Sequence, residues 1–309
     1  MGMFDYEFMQ RAFWAGGMIA IIAPLLGVYL VLRRQVLMAD TLSHVSLAGV
    51  AIGAIAGINP SIGGFIVAIF GALVIERLRQ NFRGYGEVSI AVIMTGGLAL
   101  ALVLMSMDSG LNRSFSSYLF GSIVAVSTEQ LWIIGAVFAV VLIFWVLMRR
   151  PLYNITFDEE TAQIGGTHVR WLSQTFSVLT GMTVAAAMPI VGVLLVSALM
   201  ALPAALSLRF ARGFTSALIM AVAIGLIGMF GGLTTSYYVN TPPGATVALL
   251  LLSFLLIGLG IQRIVNRVRR GNDSGYAPDL DSRRFWQRQN TGAQKSKVQT
   301  EVLHKNGNV

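Results

Sequence analysis

Nine long apolar stretches, separated by short polar segments, constrain this chain more than any other feature of its sequence. Each is about 17–22 residues long, the length that an α-helix needs to cross roughly 30 Å of hydrocarbon. Apolar residues make up 55% of the chain and charged residues only 12%, a composition that the surface of a soluble protein of this length does not tolerate. We therefore predict an all-α polytopic membrane protein with about nine spans, at 13–32, 38–57, 61–79, 88–106, 131–148, 172–188, 190–208, 214–234 and 244–262.

Positive charges lie at every second end of these stretches. Arginines follow the first, third, fifth, seventh and ninth of them. Because basic residues accumulate on the cytoplasmic side of membrane proteins, the sequence predicts a multi-pass protein with its N-terminus outside and its C-terminus in the cytoplasm. Of the 22 lysines and arginines, only Arg11 and Arg113 then lie on the outer side.

Several shorter features complete the predicted architecture. The apolar segment 118–126 is too short to cross a membrane, so we expect a re-entrant or interfacial helix there. Residues 151–170 form the longest polar loop between spans, on the cytoplasmic side, and within it acidic residues followed by glycines predict a short helix. Pro189 is expected to separate the sixth span from the seventh. Residues 1–270 form the predicted transmembrane domain, and 271–309 a disordered basic cytoplasmic tail.

One carboxylate and one imidazole interrupt the second stretch. Asp40 and His44 are four residues apart, so on a helix they lie on the same face, one turn from each other. An ionisable group inside a membrane segment is costly and indicates a functional site. The alternative is structural, with Asp40 capping the helix and His44 bonded to a neighbour. Thr41 and Ser43 either support the pair by hydrogen bonds or bond back to their own helix.

The pair supplies only two ligands, fewer than a tetrahedral Zn²⁺ site needs. A two-fold dimer brings two carboxylates and two imidazoles to its axis, a set of nitrogen and oxygen ligands that suits Zn²⁺ or Mn²⁺. The chain has no cysteine, so no thiolate ligand is available. Asp40 and His44 therefore predict half of a metal site.

Three segments of this chain resemble the permease subunits of ABC-type zinc and manganese importers. They occur in the order that the family shows, and the resemblance covers most of residues 10–262. The one that begins at Phe157 is similar to the cytoplasmic segment that these permeases insert into their ATPase. The segments are Asp40-Thr41-Leu42-Ser43-His44 with the following residues 45–53, the stretch 191–205, and Phe157-Asp158-Glu159-Glu160 through Gly165.

The resemblance implies the permease fold of type II ABC importers in a bacterial cell membrane. It also implies a second copy of the chain, two ATP-binding subunits at the cytoplasmic face and an extracytoplasmic metal-binding protein. The family's metal ligands correspond to Asp40 and His44. Its ATPase-coupling segment corresponds to Phe157, Asp158, Glu159, Glu160, Thr161, Ala162, Gly165 and Gly166.

The motif around Asp40 is more similar to zinc members of the family than to manganese members. We therefore expect the permease subunit of an ATP-driven zinc importer, with zinc as cargo and no permanently bound cofactor. A manganese importer of the same family is one alternative. Another is an ATP-independent, proton-coupled metal transporter in which the Asp/His pair relays protons.

Missing motifs set the remaining expectations. The sequence has no phosphate-binding loop, so ATP hydrolysis is expected on a separate chain. It has no catalytic constellation, so we expect a transport protein rather than an enzyme. Although the net charge is +8, the basic residues flank spans or lie in the tail, where membrane lipid and solvent are the expected partners and nucleic acid is not.

Overall fold

The computed structural model describes residues 5–81, 86–107, 116–124 and 126–273, and every regular element in this part of the chain is helical. The prediction of an all-α membrane protein is confirmed. The chain divides after Leu256 into two units, and the residues of the candidate site described below belong to the first. The helices are α1 (Glu7–Leu32), α2 (Val36–Ile55), α3 (Pro60–Asn81), α4 (Gly86–Ser106), α5 (116–120), α6 (Thr128–Phe157), α7 (Glu159–Ile164), α8 (Val169–Val191), α9 (Val193–Phe210), α10 (Phe214–Val239) and α11 (Pro243–Asp273).

Eight helices in the described part of the chain are long and apolar enough to cross a membrane. They are α1, α2, α3, α6, α8, α9, α10 and α11, and they coincide with eight of the nine predicted stretches. The remaining predicted stretch, 88–106, coincides with α4, whose apolar part is the shorter segment Ile90–Ser106. The predicted tail lies outside the described residues apart from its first three positions, so its disorder stays a prediction.

The boundary between α8 and α9 differs from the prediction that Pro189 separates them. α8 continues through Pro189 to Val191, and the break falls at Gly192, which has a φ of 85°. A proline costs its helix one hydrogen bond, whereas a left-handed residue turns the chain out of the helix. A Cβ atom at Gly192 would lie 2.3 Å from the carbonyl oxygen of Leu119, so the position admits only glycine.

The short helix predicted before the fifth span is α5. It occupies 116–120 rather than 118–126, and Gly121 ends it with a φ of 76°. The amide of Ser122 then donates to the carbonyl oxygen of Pro189 at 3.0 Å. The chain after α5 is thereby fastened to the end of α8.

α6 is longer than the predicted span 131–148. It runs on through Pro151 to Phe157, so the first part of the predicted polar loop 151–170 is helical. Proline removes only the hydrogen bond to the residue four positions earlier. Leu152 and Ile155 beyond it are buried, and their packing keeps the helix intact.

α2 carries the predicted metal ligands and packs against α3, α4, α8 and α9. Residues 41–51 are all buried, so no face of this part of the helix is left for an amphipathic pattern. The close approach to α3 depends on small residues: a Cβ atom at Gly49 would lie 2.6 Å from the carbonyl oxygen of Gly63. The predicted site therefore lies on a helix that is enclosed by its neighbours.

Candidate metal-binding site

Asp40 and His44 lie next to each other on α2. His44 Nε2 is 4.0 Å from Asp40 Oδ1, as expected for side chains one helical turn apart. The imidazole is buried, with 7% of the residue exposed, whereas 33% of the Asp40 side chain is accessible. The structure thus brings the two residues together, with Asp40 the more accessible of the two, while their binding of a metal stays a prediction.

The structural alternative for the pair does not fit this geometry. α2 begins after Gln35, so Asp40 lies beyond the first turn and caps nothing. His44 Nδ1 is buried without a hydrogen-bond partner among the described residues. A neutral imidazole keeps one nitrogen as an acceptor or metal ligand. No hydrogen bond from the described residues occupies the His44 ring.

A third residue contacts the pair from another helix. Ser197 of α9 donates from Oγ to Asp40 Oδ1 at 3.3 Å, across 157 positions of sequence. Ser197 has no role that the sequence alone predicts, although it lies inside the stretch 191–205 that resembles the importer permeases. No local pattern connects a serine on one helix to a carboxylate on another, so only the packing of α2 against α9 reveals the contact.

Thr41 and Ser43 do not support the pair through their side chains. The Thr41 hydroxyl donates to the Leu37 carbonyl at 2.9 Å, and the Ser43 hydroxyl to the Ala39 carbonyl at 3.0 Å. Both bonds stay within α2, which is the back-bonding expected of these residue types. Neither hydroxyl therefore donates to Asp40 or His44.

Within the described residues, Asp40 and His44 have no third candidate ligand beside them. No group of three or more His, Cys, Asp or Glu side chains comes together anywhere in the described residues. Two ligands leave most of the coordination sphere of Zn²⁺ or Mn²⁺ unfilled. Asp40 and His44 of one chain could therefore supply only part of a metal site.

The predicted ATPase-coupling segment forms a short helix after α6. Asp158 caps α7, because its carboxylate accepts hydrogen bonds from the hydroxyl of Thr161 and, at 3.0 Å, from the Thr161 amide. These bonds lower the pKa of Asp158 below its ordinary value. Gly165 and Gly166 end the helix, the latter with a φ of 81°.

The surface of this segment is partly apolar. Ala162 turns inward and is buried, but the Ile164 residue is 88% exposed. Phe157 is also exposed, and its ring lies 4.7 Å from that of Tyr153. Glu159 and Glu160 add exposed carboxylates in the first turn. An exposed isoleucine with exposed acids beside it is a surface that a partner protein can cover.

A buried ion pair on α3 is a feature that the sequence alone did not predict. Glu76 is 0% exposed. Its carboxylate accepts from Arg79 Nη2 at 2.7 Å and Arg79 Nε at 3.2 Å. Gln80 Nε2 donates to it at 3.0 Å and Ser177 Oγ at 2.9 Å, so both oxygens are satisfied.

Ser173 of α8 links a second arginine to this pair. Its Oγ accepts from Arg79 Nη2 at 3.0 Å and from Arg33 Nη2 at 2.9 Å. The Arg33 guanidinium also lies 5.7 Å from the ring centroid of Phe176, within cation–π range. Burial, and then the neighbouring Arg79, lower the pKa of Arg33. Two guanidiniums and one carboxylate thus join α3 and α8 to the end of α1.

Comparison with known proteins gives consistent results. Residues 5–262 match the model of the ABC 3 transport family. A protein of Treponema pallidum (strain Nichols), described as a probable metal transport system membrane protein, is 37% identical over 85% of this chain and 98% of its own length. The structure of PsaBC from Streptococcus pneumoniae in complex with Fab superposes with a TM-score of 0.74 at 27% identity, covering 83% of this chain and 92% of that one.

The names of further relatives specify different transported metals. A probable iron transport protein of Haemophilus influenzae, a manganese transport protein of Halalkalibacterium halodurans and a zinc uptake protein of Haemophilus influenzae are each 29% identical to this chain. The matches cover 79–87% of this chain and 93–96% of each relative. Similarity of this degree spans proteins named for three different metals.

Proposed function

This chain belongs to the ABC 3 transport family and is a permease of a metal ABC transport system, and from that premise we propose that it moves zinc through the interface of a homodimer. Asp40 and His44 of each copy bind the ion in transit. The observation that carries the proposal is the incomplete site: two adjacent ligands, partly open on one side, with no third ligand nearby in the described residues.

The separation of the two ligand atoms fits a shared ion after a small adjustment. Metal–ligand bonds of about 2.0–2.1 Å at a tetrahedral angle place two ligand atoms about 3.4 Å apart. His44 Nε2 and Asp40 Oδ1 are 4.0 Å apart, so a side-chain rotation that shortens this distance by about 0.6 Å suffices. The hydrogen bond from Ser197 already holds that carboxylate oxygen towards the imidazole.

A second copy of the chain would complete the coordination. Two copies related by a two-fold axis supply two imidazoles and two carboxylates. Asp40 is the accessible member of the pair, and Leu37, one turn away, is an exposed apolar residue beside it. An exposed apolar side chain beside two ligands that need partners fits a homodimer interface in this place.

Zinc is preferred to manganese as the cargo on two grounds. The motif around Asp40 resembles the zinc members of the family. The four ligands of a dimeric site also match the tetrahedral preference of Zn²⁺, whereas Mn²⁺ favours six oxygen-rich ligands. A growth test under chelation distinguishes the two metals, since rescue by zinc supports the proposal and rescue by manganese alone contradicts it.

ATP-binding subunits would dock on residues 157–166. The exposed Ile164 and Phe157 offer apolar area for such a partner, and Glu159 and Glu160 offer charge. With this end of the bundle in the cytoplasm, the arginines after α1 and α9 and those in the last part of α6 lie on the inner side, and the N-terminus lies outside. A metal-binding protein would deliver the ion to the opposite end.

Substitution of the two ligands tests the proposal. In cells that lack other zinc importers, Asp40→Ala and His44→Ala should each lower uptake of radioactive zinc by at least about tenfold, because a ligand of the transported ion is lost. Ser43→Ala is the matched control: it lies between the two ligands on α2, and its hydroxyl bonds only to its own helix. Near-normal uptake by both Asp40→Ala and His44→Ala would contradict the assignment of these residues as metal ligands.

A further inference from the structure

We propose that Ser197 is a positioning residue for Asp40 that holds its carboxylate as a one-oxygen ligand and thereby favours zinc over manganese. This inference rests on the proposed function, since it presumes that Asp40 binds the transported ion. It starts from one contact: Ser197 Oγ donates to Asp40 Oδ1 at 3.3 Å.

The hydrogen bond selects one of the two carboxylate oxygens. Oδ1, the oxygen that accepts from Ser197, is also the oxygen that lies 4.0 Å from His44 Nε2. Ser197 is the hydrogen-bond partner of the Asp40 side chain within the described residues. Without that bond the terminal torsion of an aspartate is broad, so the carboxylate plane is free to rotate. Ser197 therefore fixes which oxygen faces the imidazole.

The backbone around Ser197 holds the donor in place. Gly192 breaks the chain between α8 and α9 with a φ of 85°, and α9 begins directly after it. Val196 and Leu199 on either side of Ser197 are buried, which fixes the rotation of α9 about its axis. The hydroxyl thus reaches Asp40 from a rigid element and not from a loop.

Fixing one oxygen discriminates between metals by coordination number. Zn²⁺ takes four ligands in a tetrahedron and accepts a carboxylate through a single oxygen. Mn²⁺ takes more oxygen ligands, and a carboxylate that rotates freely can offer both of its oxygens. A donor that keeps Oδ1 oriented therefore favours the smaller coordination sphere. Partners that orient a ligand in this way typically change metal affinity by about 10–100-fold.

The test measures uptake of radioactive zinc by the intact transporter in cells, with manganese as competitor. Ser197→Ala should raise the apparent KM for zinc about tenfold or more. Manganese should also inhibit zinc uptake by this variant at a lower ratio of manganese to zinc concentration than in the wild type. Ser197→Thr, which keeps a hydroxyl, should retain the wild-type ratio. The control Ser207→Ala removes a hydroxyl from the same helix that bonds only to the Ala204 carbonyl, and it should also retain that ratio.

Two further variants separate this inference from the proposed function. If Asp40→Ala and His44→Ala abolish uptake while Ser197→Ala keeps the wild-type zinc KM and manganese ratio, the role of Ser197 is wrong and the metal site stands. Equal changes in Ser197→Ala and Ser207→Ala would overturn it as well, because they would mean a general effect on α9. Normal uptake by Asp40→Ala and His44→Ala would instead overturn the proposed function itself.

Discussion

Removal of the arginine from the buried ion pair on α3 should destabilise the protein strongly. Arg79→Ala takes away two of the four hydrogen bonds that described residues donate to the Glu76 carboxylate, those at 2.7 and 3.2 Å. Hydrogen bonds to a charged group contribute about 1.5–3 kcal/mol each. The loss of both is therefore about 3–6 kcal/mol, which agrees with the roughly 3–5 kcal/mol lost when one partner of a buried pair is removed.

The cause of this loss can be isolated by a second substitution. The destabilisation arises mainly because a carboxylate that is 0% exposed is left without its counter-charge. Glu76→Gln removes that charge, so the double variant Glu76→Gln/Arg79→Ala should be more stable than Arg79→Ala alone. Arg77→Ala is the control, since Arg77 lies on the same helix but is exposed. The unfolding free energy of Arg77→Ala should lie within about 0.5 kcal/mol of that of the wild type.

Unfolding of the purified protein in mixed detergent micelles, with increasing denaturing detergent, measures these differences. The expected order of stability is wild type and Arg77→Ala together, then the double variant, then Arg79→Ala. Two results would refute the reasoning: an Arg79→Ala variant as stable as Arg77→Ala, or a double variant whose loss equals the sum of the losses of the two single variants.

Two further predictions concern the α8–α9 junction and the segment at α7. Gly192→Ala should lower the unfolding free energy by more than about 1 kcal/mol, because alanine meets both a left-handed backbone and the Leu119 carbonyl; Gly96→Ala, which meets open space, should not lower it in the same titration. The pKa of Asp158 is lowered in the folded state, so its stabilisation of α7 is present above the unfolded pKa and lost as pH falls through the folded pKa. In the wild type, amide exchange of residues 159–164, measured against intrinsic exchange rates, should therefore increase as pH falls. Asp158→Ala should accelerate this exchange at neutral pH and abolish its increase in acid. Unchanged exchange in the variant would contradict the cap.

The positions of the spans could be read from the sequence because lipid imposes a length and a composition on each helix. Asp40 and His44 could be placed on one face for a similar reason, since helical periodicity alone brings positions i and i+4 together. Both inferences use information that is local in the chain. Neither depends on how the helices pack against one another.

Features that depend on packing between helices escaped the sequence analysis. The contact of Ser197 with Asp40 joins residues 157 positions apart, and no pattern within α9 announces it. Glu76 and Arg79 have a spacing that permits an ion pair, but the burial of Glu76 follows from its packing against Ser177 on α8. In such cases the sequence contains the chemical groups, while the fold decides which of them meet.

The helix boundaries show the same limit. The sequence predicts that Pro189 separates the sixth span from the seventh, yet the break falls at Gly192, where the backbone passes against Leu119. The crossing of two segments is a tertiary contact that outweighs the local preference of proline for a break. Pro151 is likewise accommodated within α6, whose following residues are buried.

Zinc content and zinc X-ray absorption of the purified, intact transporter at saturating zinc test the central claim most directly. Two copies of Asp40 and His44 around one ion predict one zinc for every two permease chains, bound by two imidazole nitrogens and two carboxylate oxygens, with the signal lost in His44→Ala. One zinc per chain, or a spectrum that His44→Ala leaves unchanged, would contradict the shared site.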